Sequence, residues 1–65
     1  MMTNMEKERR ELGFTQLQLR EKTNTSLNTI VALEKGQIDN VRVKTLKKIA
    51  VALNSTVQKI FFNEE

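Results

Sequence analysis

Five basic residues crowd the middle of the chain. Lys35, Arg42, Lys44, Lys47 and Lys48 occur with a single acid, Asp39, among them. A concentrated patch of one sign attracts anions and fits a nucleic acid or another anionic surface. Catalysis finds much less to work with. The acids Glu6, Glu8, Glu11 and Glu21 form no plausible catalytic pair, and solvation on helix surfaces explains them. The chain has no histidine and no cysteine. That removes the commonest general base, the commonest metal ligand, thiolate zinc sites and disulfides. The two glycines, Gly13 and Gly36, stand too far apart for a phosphate-binding loop. The chemistry open to this chain is therefore binding. No enzyme, cofactor or metal site is expected.

The remaining composition bounds the scaffold. Eleven Lys/Arg against eight Asp/Glu give a net charge of +3, with an isoelectric point near 9.6. The stretch through Lys22 is nearly balanced, so the excess belongs to the central patch. Hydrophobic residues make up 38%, within the globular range. Sixty-five residues are expected to form one domain over 1–65. Such a chain buries only about 60% of the surface it exposes when unfolded, so its stability is thin. No apolar run approaches the ~18–20 residues of a membrane span, and no signal-peptide pattern opens the chain. The expected location is cytoplasmic.

To position the patch, the sequence supplies short helices separated by polar breaks. Thr3-Asn4-Met5-Glu6 has capping-box form, and Met5, Arg9 and Leu12 then fall on one helical stripe. Gly13 is a natural residue to follow that first helix, about 4–12. Thr15-Gln16-Leu17-Gln18 is a second capping box, with Phe14 before it as a hydrophobic staple, and opens a helix of about 16–22. Asn24 is the best candidate for a left-handed turn before Ser26, which caps a third helix of about 27–35 ending at Gly36. Gln37–Arg42 reads as a polar loop. Val43, Leu46, Ile49, Ala50 and Leu53 form the inward stripe of a fourth helix, about 43–53, and Asn54 ends it. Residues 41–45 also alternate like a strand, but the helical period continues for two more turns. Thr56 caps a fifth helix, about 57–61, with Val57, Ile60 and Phe61 inward. The expected fold is all-α with five helices. The second and third are joined so tightly that they must cross steeply, which is helix-turn-helix geometry.

These residues, in this order, resemble the Cro/repressor-type helix-turn-helix family, which includes phage repressors and xenobiotic-response-element-type regulators. The residues that carry the likeness are Arg9, Gly13-Phe14-Thr15-Gln16, Leu19, Asn24, Ser26, Ile30 and Leu33-Glu34-Lys35-Gly36, followed by Thr45-Leu46, Ile49-Ala50, Leu53 and Ile60-Phe61. The likeness runs from Met5 to Phe61. It implies a compact five-helix DNA-binding domain, bacterial or phage-encoded, with the third helix in the major groove. Two departures stand out. Arg20 occupies the middle of the second helix, where the family has a small residue, and must run its stem out to solvent. Asn24 replaces the glycine of the turn. The loop after Gly36 is also about a residue longer than usual.

The resemblance implies a site, residue by residue. Gln16, at the start of the second helix, contacts a DNA phosphate. Ile30 and Leu33 turn to the core, so Leu27, Asn28, Val31 and Ala32 face the bases. Asn28 can pair with adenine N6 and N7, and the three apolar residues can touch thymine methyls. Thr25, Ser26 and Thr29 offer hydroxyls toward phosphates, with Ser26 a cap first. Among the basic residues, Lys35, Arg42 and Lys44 are expected at the backbone ahead of Lys47 and Lys48. Arg9 and Glu34 are expected as a buried structural ion pair, because an unpaired buried Arg is costly.

The base-facing surface of the third helix carries no Arg or Lys, which leaves two readings: an A·T-rich site with phosphates supplying affinity, or a protein groove that receives the apolar face. The first is adopted. It makes the chain a sequence-specific transcriptional regulator of double-stranded DNA, a repressor acting as a dimer on a palindrome with half-sites one turn apart. Val57, Ile60, Phe61 and Phe62 are the expected dimer surface. With no ligand domain expected, regulation falls to concentration, dimerisation or a protein regulator. The alternative is a protein-interaction module, an antitoxin or antirepressor.

Overall fold

Local capping chemistry sets most of the helix boundaries. A computed structural model describes residues 2–62. It contains Asn4–Glu11 (α1), Gln16–Thr23 (α2), Leu27–Glu34 (α3), Val43–Ala52 (α4) and Val57–Phe61 (α5), with no strand among the described residues. Three helices begin at a threonine whose hydroxyl accepts a free first-turn amide. Thr3 accepts from Glu6 at 3.3 Å, Thr15 from Gln18 at 3.0 Å and Thr56 from Lys59 at 3.1 Å. At Thr15 the bond is reciprocal, because the Gln18 side chain accepts the Thr15 amide at 2.9 Å. The box expected at Thr3 is only half formed, since the Glu6 carboxylate pairs instead with Arg10 at 2.7 Å. Ser26 occupies the cap position of α3 but makes no side-chain cap bond.

The far ends close in a common way. After α1, α3 and α4 the chain turns through positive φ at Gly13 (79°), Gly36 (87°) and Asn54 (61°). At α3, the Gly36 amide donates to Leu33 and the Gln37 amide to Ala32, both at 3.0 Å. The same paired pattern joins Gly13 to Arg10 and Phe14 to Arg9, and Asn54 to Val51 and Ser55 to Ala50. This Schellman closure satisfies two orphan carbonyls per helix.

α2 packs on α3 and α4, α1 packs on α3 and α5, and α4 packs on α5. Met5, Leu19, Ile30, Leu33, Leu46, Ile49, Ala50, Leu53 and Ile60 form the buried core they enclose. Two hydrogen bonds tie α1 across this core: Thr3 Oγ1 donates to the Glu34 carbonyl at 3.0 Å, and Asn4 Nδ2 donates to the Lys59 carbonyl at 3.2 Å. Asn24 adopts the left-handed conformation, φ 53° and ψ 40°, so only Asn24, Thr25 and Ser26 separate α2 from α3. Arg20 is exposed on α2. Among the described residues no helix is long and apolar enough to cross a membrane.

Several expectations need correction. Leu12 leaves the stripe of α1 and is exposed, because it follows the last helical residue. Val43 is 60% exposed at the first position of α4, one turn outside the core. The loop after Gly36 is less polar in effect than in composition, since Ile38 and Val41 fold back onto the core.

Candidate nucleic-acid interface

α3 has two sharply different sides. Ile30 and Leu33 are fully buried against the other helices. Their burial fixes the rotation of α3 and turns Leu27, Asn28, Val31 and Ala32 outward. Asn28 is exposed, and the three apolar residues are half-buried. The Asn28 amide makes no hydrogen bond to another described residue. Its donors and its acceptor are free for a ligand.

The inner side is locked by charge as well as by packing. Arg9 Nε donates to Glu34 Oε2 at 2.5 Å and Arg9 Nη2 donates to Glu34 Oε1 at 3.2 Å, a bidentate pair. The third guanidinium nitrogen, Arg9 Nη1, donates to the Phe14 carbonyl at 2.7 Å. Both residues are 7% exposed. Gln16 Nε2 completes the cluster by donating to Glu34 Oε1 at 3.0 Å. The cluster joins α1, the start of α2 and the end of α3, and so sets where α2 begins relative to α3.

Two open grooves run beside α3. One lies against the loop, lined by Asn28, Ala32, Gln37, Asp39 and Asn40. The other lies between the turn and α4, lined by Ser26, Thr29, Arg42, Thr45 and Lys48. Thr29, Asn40 and Val41 border both. Lys35, Arg42, Lys44, Lys47 and Lys48 are all exposed, and none pairs with an acid among the described residues. An outward helix face with a free amide, bordered by unpaired cations, is suited to a phosphate-bearing groove. The family model described as helix-turn-helix matches residues 5–60. The chain belongs to the Cro/repressor-type helix-turn-helix family. That family is one of DNA-binding regulators and is not typically enzymatic, and this chain is a binder of double-stranded DNA. No curated protein and no solved structure matches it.

Within the helix-turn-helix domain the expected site residues divide into three groups. The first lies on the outer surface: Leu27, Asn28, Val31 and Ala32 on α3, with Ser26, Thr29, Lys35, Arg42 and the exposed Lys44 around it. Ser26, expected to cap α3, keeps its hydroxyl free because its side chain makes no cap bond. The second group is engaged elsewhere. Thr25 is 6% exposed and borders the turn groove with its hydroxyl donated to the Thr23 carbonyl at 3.3 Å. Gln16 is half-buried with an amide N–H held by Glu34. The third group lies apart. Ile60 is a core residue, 6% exposed, and Val57 and Phe61 pack onto that core. Their inward placement on the fifth helix agrees with the sequence pattern, and they close the interior of the domain. Of the four, Phe62 alone is exposed, at 46%.

The structure brings Lys48 to the turn groove. Arg42, Thr45 and Lys48 recur every three residues and face the turn groove together, whereas Lys44, ranked higher, does not line it. That spacing is visible in the sequence. Asp39 and Asn40, in the loop after Gly36, also line the groove that holds Asn28. No sequence signal marks them, because only the inward folding of Ile38 and Val41 brings their loop against α3.

Proposed function

We propose that the chain is a transcriptional repressor that works in the cytoplasm and binds a palindromic operator as a dimer. α3 enters the major groove, where Asn28 reads an adenine and Leu27, Val31 and Ala32 contact thymine methyls. Ser26, Thr29, Arg42 and Lys48 hold one phosphate strand beside the turn, and Lys35 reaches backbone at the other end of α3. The observation that carries this reading is the free Asn28 amide on a helix face bordered by unpaired cations. Bound as a dimer with about 6–10 phosphate contacts, the protein should lose roughly 10³–10⁵ in affinity between 50 and 200 mM salt. Titration of the protein onto duplexes selected from a random pool measures this. A flat salt response would remove the DNA mode.

Dimerisation is assigned to the face around Phe62, with Val57 and Phe61 at its edge. Phe62→Glu should leave binding to a single half-site unchanged and abolish cooperative occupancy of two. Equal cooperativity in the variant would move the dimer contact elsewhere.

A second reading has one observation behind it: three of the four outward residues of α3 are apolar. An antitoxin or antirepressor would dock that face into a protein groove. Capture of a protein partner without any duplex binding would favour this reading over the first.

A further inference from the structure

The loop between α3 and α4 forms one wall of the groove that holds Asn28, and Asp39 lines that wall. Its carboxylate is the single acid between Lys35 and Lys48. It has no structural task among the described residues. It forms no ion pair, although Arg42 is three residues away, and it accepts no hydrogen bond that would cap a helix or brace the loop.

An acid at this place repels phosphate and lowers affinity for every DNA sequence alike. A base contact offsets that cost for some sequences and not for others. A carboxylate is acceptor-only. In the major groove cytosine offers it the N4 amino donor. Guanine presents N7 and O6 and thymine presents O4, all acceptors that repel it. Adenine sets its amino donor beside the N7 acceptor and suits an amide better than a carboxylate. The outward residues of α3, Leu27, Asn28, Val31 and Ala32, suit adenine and thymine and contain nothing that selects a G·C pair. Asp39 and Asn28 share one groove, so both reach the same edge of the duplex.

We propose that Asp39 is a specificity-determining residue that accepts the N4 amino hydrogen of a cytosine beside the base pair read by Asn28. This rests on the DNA mode proposed above. It predicts a half-site that is A·T-rich under α3 and bounded by one G·C pair of fixed orientation under the loop.

The test is parallel selection from a random duplex pool by the full chain, as wild type, Asp39→Asn and Asp39→Ala. Asn keeps the shape and adds donors, while Ala removes the group altogether. Wild type should enrich cytosine at one position flanking the A·T stretch. Both variants should lose about fivefold of that preference, the discrimination of a single modest base contact, and keep the rest of the motif. Variants that enrich the wild-type motif unchanged overturn the proposal, and a uniform gain in affinity with that motif would show that Asp39 only repels phosphate. A wild-type protein that enriches no motif overturns the DNA mode itself and this inference with it. Because Asp39 is exposed and unpartnered, the melting temperatures of all three proteins should coincide.

Discussion

The two sides of α3 carry similar amounts of polar chemistry and treat it in opposite ways. On the inner side Glu34 has both carboxylate oxygens occupied, by Arg9 and Gln16, and its backbone carbonyl accepts from Thr3. No buried side-chain nitrogen or oxygen lacks a partner among the described residues. On the outer side Asn28, Ser26, Arg42 and Lys48 are exposed and have no such partner. Buried polar groups must be satisfied internally, or each costs more than its hydrogen bonds return. Exposed groups left free are solvated at no such cost and stay available to a ligand. One eight-residue helix thus holds the domain together with one face and offers recognition with the other.

The largest effect should come from breaking the inner side. Glu34→Ala leaves the Arg9 guanidinium buried without its counter-charge, a loss of about 3–5 kcal/mol. For a domain of this size that lowers the melting temperature by about 12 °C or more. The comparison is Glu6→Ala, which removes the pair with Arg10, where the side chains are 24% and 60% exposed. That pair contributes about 0.3–0.5 kcal/mol. Thermal melts of the two variants decide the point, and equal shifts would refute a structural role for the buried pair. Replacing both partners, as Arg9→Leu with Glu34→Leu, should recover most of the loss, because no buried charge then remains.

The outer side should respond in the other observable. Asn28→Ala should leave the melt within about 0.5 kcal/mol of wild type and cost about 1–3 kcal/mol at one base position. A large stability loss would mean that Asn28 belongs to the fold. Lys48→Ala should weaken all sequences alike and reduce the salt slope by about 1. Lys44→Ala should do so less, because Lys44 lies off the groove that Lys48 lines. The reverse order would restore the ranking that the sequence suggested.

The inner side was the more legible of the two in the sequence. Ile30 and Leu33 follow from periodicity, and an Arg inside an apolar stripe demands a partner, which the family resemblance gives as Glu34. Capping threonines and positive-φ residues mark helix ends because those rules are local, and Thr15, Gly13, Gly36 and Asn54 obey them. The outer surface is assembled from separate segments, and local rules do not reach across them. The burial of Thr25 depends on the path of the turn between α2 and α3. The loop carrying Asp39 is drawn against α3 by two half-buried residues in an otherwise polar stretch. Alternation and helical period cannot register a contact of that kind.

Gln16 tests how far the two sides are separate, because it stands at their seam. It is half-buried, one amide hydrogen is held by Glu34 at 3.0 Å, and its position is the first of α2. Removing that bond by Gln16→Ala should cost about 0.5–1 kcal/mol, below the usual worth of a hydrogen bond to a charged group since water reaches the site. If Gln16 also meets a phosphate, as the family resemblance implies, the same variant should weaken all duplexes uniformly. Gln16→Glu separates the two roles. It places a second carboxylate against Glu34 and another negative charge toward the duplex, so it should lower both stability and affinity more than Ala does. A variant pair that changes only the melt would assign Gln16 wholly to the inner cluster. A pair that changes only binding would mean that its bond to Glu34 yields when DNA arrives.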